Sequence, residues 1–237
     1  MGTSYEGALV AAGLEQVCAA LAGAGMTAIV APVGVERTAV LPREGAYNVA
    51  DVDGLGRYLS GTCGFSVLVH SLYDSDLLSL YVYSGGESVH EYQSDVAHLG
   101  QPFEDADGEM KVVFDGVPFD FDDDSRPSGP RGADPEVFAP FGTGDIDPGR
   151  LGALLRGEGL DEEQQVFAES RHWAIAEALN LQPAALTNAY RHVKASDFSG
   201  AVLVGRSPAL EAQQEEQRSR AAVLRSHNPR PPSAGSA

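Results

Sequence analysis

The chemistry in this chain is concentrated in its carboxylates. Residues 87–124 hold twelve Asp or Glu side chains and one basic residue, Lys111, a net of −11 out of −18 for the whole chain. Carboxylates at that density can bind a cation, work as an acid/base pair, or attract something positive. A calcium loop is tested first. With Asp120, Asp122 and Asp124 at loop positions 1, 3 and 5, the required Gly at 6 is Ser125 and the bidentate Glu at 12 is Arg131, so an EF-hand fails twice. Acid/base work needs two carboxyls whose surroundings drive their pKa values apart. Asp74 and Asp76 lie in Tyr73-Asp-Ser-Asp, where Asp favours a turn by bonding nearby backbone. Two readings of the block then stand: a dense negative surface that speeds the encounter with a basic ligand, or a solvated, self-repelling loop with no partner.

Just before the acidic block stands DSDLLSLYVYSGGESVHEYQSD, residues 74–95, which alternates, turns at Ser84-Gly85-Gly86 and alternates again. Tyr81, Tyr83 and Tyr92 on such a hairpin form a recognition surface if nothing covers them, and core pairs if a helix does. Together with Glu91, Asp120, Asp122, Asp123 and Asp124 they are the residues expected to meet a partner. No Gly-x-Ser-x-Gly elbow and no Gly-x-x-x-x-Gly-Lys-Ser/Thr loop occurs. Gly23-Ala-Gly25 precedes a strand where a nucleotide fingerprint would follow one. His172 and His192 are twenty apart and His90 and His98 eight apart, which is not the spacing that sets two imidazoles on one helical face. The histidines are therefore expected at the surface or at helix ends. No catalytic residue, metal or cofactor is expected.

The leading expectation is a non-catalytic binding or regulatory protein, of immunity or inhibitor type, engaging a basic protein partner. One alternative is a small-molecule enzyme with a pocket between a sheet and helices over 161–192, using His172, Arg171, Tyr190 and Asp74. Another is a structural subunit whose polar 208–225 helix docks into an assembly. The net charge of −18 and a pI near 4.5 argue against direct binding to nucleic-acid phosphates or to anionic lipid. No run of about 18 apolar residues is present, so no membrane span is expected. The N-terminus lacks the basic start of a signal peptide. A cytoplasmic location is expected. Two cysteines, Cys18 and Cys63, read as free buried thiols. Two lysines against fourteen arginines, with abundant Ala and Gly, suggest a GC-rich bacterial genome.

The elements that must carry these residues follow from apolar periodicity. Residues 6–22 show helical spacing at Leu9, Val10, Leu14, Val17, Cys18 and Leu21. Two strands follow, Met26–Val33 and Arg37–Leu41. A short helix over 50–63 is capped by Asp51 or Asp53. Phe65–Leu72, Asp76–Tyr83 and Ser88–Gln93 form a meander. In its middle strand Leu78, Leu80 and Val82 face one way, and Leu77, Ser79, Tyr81 and Tyr83 the other. The resulting fold is α+β: an antiparallel sheet in the order α-β-β-α-β-β-β, with a C-terminal helical half packed on it.

Residues 1–95 form the sheet core and 96–135 an acidic irregular loop with a possible strand at Lys111–Phe114. Residues 136–205 are a helical half completing the same domain. It holds helices at Pro135–Phe141, at Asp147–Arg156 with Pro148 first, at Asp161–Asn180, and at Pro183–His192, then a strand in Ser199–Gly205. The helix over 161–180 is expected to present Val166, Phe167, Ser170, Trp173, Ala174, Glu177 and Ala178 as a stripe, widened by Ile175 and Leu179. Residues 206–237 read as a polar helix and a disordered tail.

The hairpin Leu80–Asp95 and the helix Val166-Phe-Ala-Glu-Ser-Arg-His-Trp-Ala-Ile-Ala-Glu-Ala-Leu-Asn-Leu resemble an uncharacterised family of bacterial proteins. These share an aromatic strand, a Gly turn and Glu-Tyr-x-Ser, then a Phe-Ala-x-x-Arg-His-type helix. Asn180 stands where that pattern has Gly, and Thr187-Asn188 interrupts a Gly-containing stretch. The resemblance implies that the two halves of the chain belong together, and it carries over no catalytic residue.

Overall fold

The computed structural model describes residues 2–161 and 167–205. The polar helix and tail expected beyond 206, and Val166 with the start of the helix expected from 161, lie outside the described residues. The fold is α+β, built on a seven-stranded antiparallel sheet. In chain order its elements are β1 (Tyr5–Val10), α1 (Leu14–Gly23), β2 (Ala28–Gly34), β3 (Arg37–Pro42) and α2 (Val52–Gly61). Next come β4 (Val67–Tyr73), β5 (Leu77–Ser84) and β6 (Glu87–Gln93). The strand β10 (Val202–Val204) returns at the far edge, so the sheet runs β10-β2-β3-β1-β4-β5-β6.

The chain opens with a strand where helical spacing had suggested one long helix. The central strand β1 pairs with β3 on one side and β4 on the other. Buried on both faces, such a strand shows a continuous apolar run instead of alternation, and Ala8-Leu9-Val10 joined to the helix beyond it mimics a helical stripe. Gly7 has a packing reason: a Cβ there would stand 2.6 Å from His70 Nε2 and 2.9 Å from the Val40 carbonyl. The helix begins only at Leu14.

Turn chemistry sets the meander. Gly85 and Gly86 have φ of 60° and 87°, and Asp74 and Ser75 have 49° and 65°. Both hairpins thus take two positive φ values in a row, as the right-handed twist of their strands prefers. The faces of β5 are as the alternation requires. Leu78, Leu80 and Val82 enter one core, and Tyr83, with Tyr81 partly buried beside it, enters the other.

Helices α1 and α2 cover one face, laying Val17, Leu21, Leu55 and Leu59 over Ala8, Val10, Val30, Val40, Val67 and Val69. Asp51 caps α2 by accepting from the Gly54 N–H at 2.9 Å. The opposite face carries Leu9, Leu68, Leu72, Leu78, Leu80 and Tyr92. Above it lie α3 (Pro135–Phe138), α4 (Pro148–Leu155) and α5 (Ala168–Ala178), which contribute Phe138, Leu151, Leu155 and Ile175. Asp147 caps α4, its side chain accepting from the Gly149 and Arg150 N–H groups, with Pro148 at the first helical position. Residues 183–192 form two single 3-10 turns, at 183–185 and 190–192, where an α-helix was expected.

Residues 96–135 are not irregular throughout. They hold a second antiparallel sheet of three strands, β7 (Gln101–Glu104), β8 (Met110–Phe114) and β9 (Val117–Asp120). The β8–β9 turn is Asp115-Gly116, with φ of 48° and 82°. Asp-Gly between apolar runs is a strong hairpin signal.

Candidate functional site

The residues expected to meet a partner divide between core and surface. Tyr83 is buried against α2, where a Cβ on Gly56 would fall 2.7 Å from its ring, and its hydroxyl donates to Asp53. Burial, then that bond, raises the Tyr83 pKa. Tyr92 is fully buried on the other face and donates to the Leu155 carbonyl at 2.8 Å. Neither ring offers a surface to a partner, because a helix covers each. Tyr81 is half-buried and accepts from Gln93 Nε2 at 3.1 Å. Glu91 is exposed on β6, within 3.4 Å of Arg131 Nη2.

The aspartates sit on and after β9. Asp120 accepts from Lys111 Nζ at 2.8 Å, and Asp105 lies 3.5 Å from the same ammonium. The bond to Asp120 raises the Lys111 pKa first of all. Asp105 is held below the usual carboxylate range, chiefly by the Glu109 N–H it accepts from. Asp123 accepts from Ser125, which lowers its pKa too. Asp122 and Asp124 are exposed and, like Glu104, Asp107, Glu109 and Asp115, make no ion pair among the described residues. Phe103, Met110, Val117 and Phe121 of this segment are each from 37% to 54% exposed, and the register sets Met110 and Val117 on the sheet face of Glu104 and Phe103 on the face of Lys111 and Asp120.

The alternative set does not converge. Arg171 Nη1 donates to the Ser94 carbonyl at 2.9 Å, and Asp74 accepts from the Gly2 N–H at 2.9 Å. Tyr190 lies partly buried against the core. His172 is turned inward, where it is joined by two residues that spacing alone did not bring together. The Tyr5 hydroxyl and His172 Nδ1 are 2.8 Å apart, and the His70 and His172 rings lie 4.8 Å apart. Both histidines are buried, at 2% and 5% exposure, and not at the surface. Burial drives the His172 pKa down to about 3, and burial with the neighbouring His172 drives His70 well below its ordinary value. Burial, then the charge of Glu169, pushes the Tyr5 phenol up, so it stays protonated.

This inward turn reflects how α5 sits. The buried side is Ala168, His172, Ile175, Ala176 and Leu179, while Phe167, Trp173 and Glu177 are exposed. Of the expected stripe, Phe167, Trp173 and Glu177 face outward, while Ala178, Ile175 and Leu179 are buried. Part of the stripe lines a pocket of about 590 Å³ between α4, α5 and the start of β1. Tyr5, Leu154, Leu160, Glu169, Trp173 and Asn188 are among its walls. Glu169 is placed by the hairpin turn: Ser75 donates from Oγ to Glu169 Oε1 at 3.0 Å, and its carbonyl accepts from the Ala168 N–H at 2.8 Å. Glu169 Oε2 is shielded from solvent and has no hydrogen-bond partner among the described residues. The signal for this site was present in Trp173 and Glu177, four apart on one helical face.

Among the described residues no cluster of three His, Cys, Asp or Glu could hold a metal ion, and no helix is long and apolar enough to cross a membrane. Cys18 and Cys63 are free and only partly buried. The chain matches no protein-family model, no curated protein and no solved structure.

Proposed function

We propose that the protein is a non-catalytic binding or regulatory protein, of immunity or inhibitor type, which engages a basic protein partner through the β7–β9 sheet and the aspartate turn after it. One observation carries this reading. Six exposed carboxylates there, Glu104, Asp107, Glu109, Asp115, Asp122 and Asp124, have no cation of their own among the described residues. Met110 and Val117 are exposed on the same sheet face as Glu104. Unpaired charge steers a basic partner into contact and sets its orientation, while apolar groups at the centre supply burial once it has docked. Tyr83 and Tyr92 act in this scheme as buried scaffold on the two faces of the β5–β6 hairpin, and Glu91, Asp120 and Asp123 as the partly neutralised rim. The pocket beside α5 supports the alternative of a small-molecule enzyme less well. Its polar walls hold no histidine, and His172 points away from it into the core.

The test is a capture experiment from the source cell at two ionic strengths, using the full chain and a variant with Glu104→Gln, Asp122→Asn and Asp124→Asn. A basic protein retained at low salt, released at high salt and lost by the variant is the expected result. A partner held equally at both salts, or equally by the variant, would sink the proposal.

A further inference from the structure

We propose that the pocket between α4, α5 and the start of β1 binds a small organic cation, a primary ammonium or guanidinium on an apolar or aromatic body, with Glu169 as its counter-charge. The inference is independent of the acidic-sheet reading, which concerns a different surface.

Three observations meet at this place. The first is room: about 590 Å³ lies within the usual range for small-molecule sites. The second is an unmet acceptor. Ser75 satisfies one oxygen of Glu169 and leaves Oε2 shielded and unpartnered among the described residues. A shielded carboxylate oxygen without a donor is unfavourable, and a charged N–H donor is the strongest relief for it; a ligand in the pocket supplies that donor once the Glu169 side chain rotates to bring the oxygen out to it. The third is the wall. Trp173 is 43% exposed, and its indole N–H donates to Glu177 Oε1 at 2.9 Å, which fixes the ring's orientation along α5. An aromatic face beside a carboxylate is a combination that favours organic cations. Leu154 and Leu160 supply apolar surface for the body of the ligand.

The sign of the charge follows from the lining. Glu169 and Glu177 are set against Arg150, which is exposed on α4. Tyr5, kept protonated by burial and by the charge of Glu169, lies at the sheet end of the pocket as a neutral group. Its hydroxyl is spoken for by His172. The pocket floor is thus tied to the buried histidine pair, so an occupant that orders Tyr5 steadies the core beneath it.

The probes are phenethylamine and phenylguanidine, compared with 2-phenylethanol and 3-phenylpropionate, which keep the ring and change the head group. Binding is read by calorimetry and by thermal unfolding of the full chain. The expected result is that at least one cation binds and raises the unfolding temperature, while the alcohol and the acid do neither. Glu169→Gln should lower the cation's affinity by about tenfold or more. Ala174→Phe, which places a ring in the pocket and keeps the Glu169 charge, should also abolish binding, with the fold checked by circular dichroism. The variant neutralised at Glu104, Asp122 and Asp124 should bind the cation as the parent does. The proposal is overturned if neither cation binds at millimolar concentration, if the alcohol or acid binds as well as the cations, or if Glu169→Gln or Ala174→Phe leaves cation binding intact.

Discussion

The two faces of the seven-stranded sheet are built on different terms. Under α1 and α2 the buried packing is mostly Ala, Val and Leu with Tyr83, and the buried polar side chains there, Thr38 and Ser60, are neutral hydroxyls bonded to backbone. Under α3, α4 and α5 the same sheet buries two imidazoles, a phenol bonded to one of them, and a second phenol bonded to a helix-end carbonyl. The first face gains stability chiefly from buried area, and its buried hydroxyls, Thr38 and Ser60, carry no charge to titrate. The polar face depends on each buried group having its partner or staying neutral, because an unpaired charge in an apolar surrounding is expensive. The pocket lies on the polar face.

The comparison breaks most directly through a pair of measurements on stability against pH. Leu59 is fully buried under α2, and Leu59→Ala should cost about 2–5 kcal/mol, by the same amount near neutrality and in mild acid. The polar face should behave otherwise. His70 and His172 have folded-state pKa values below the unfolded value of about 6.5, so the unfolded chain binds more protons. For His172 the full contribution is present above about pH 6.5 and is lost as pH falls toward about 3. Between about pH 7.5 and 5 His172 should remove about 2 kcal/mol, with a further loss of the same sign from His70. Urea unfolding at the two pH values measures this, and His172→Gln should make the drop smaller. An unchanged slope in that variant would mean that the histidines do not carry it.

A smaller effect separates the two tyrosines. Tyr92→Phe leaves the Leu155 carbonyl without its donor inside the core and should cost about 1–3 kcal/mol. Tyr83→Phe removes a bond to Asp53, which is exposed and still paired with Arg57 at 2.8 Å, and should change stability by no more than about 0.5 kcal/mol. Equal costs for the two would show that the faces do not differ in how they use polar groups.

Much of the fold was legible. The meander was written in the alternation of Leu78–Tyr83 and in Gly85-Gly86, α2 in its Asp51 cap, and α4 in Asp147-Pro148. Local patterns of this kind survive because the cap, the turn and the period all act within a few residues. The losses came where two local patterns ran together or where an aromatic misled. Tyr5–Val10 read as helix since a strand buried on both faces does not alternate. The acidic segment read as loop since its charge outweighed the Asp115-Gly116 turn signal. On α5 helical spacing finds Ile175, Ala178 and Leu179 but not the outward turn of Trp173 and Phe167 or the inward turn of His172, since a stripe's edges depend on which distant elements cover them.

The sequence by itself determined the α+β class, the positions of most strands and the placing of more than half the net charge in one short stretch, because these depend on neighbours along the chain. Only the tertiary structure decided that Tyr83 and Tyr92 are core, that Tyr5, His70 and His172 meet across 167 residues, and that Glu169 keeps one oxygen unpartnered beside a pocket. The reason is that burial and partnership of a polar group depend on which distant element covers it, and no local periodicity encodes that.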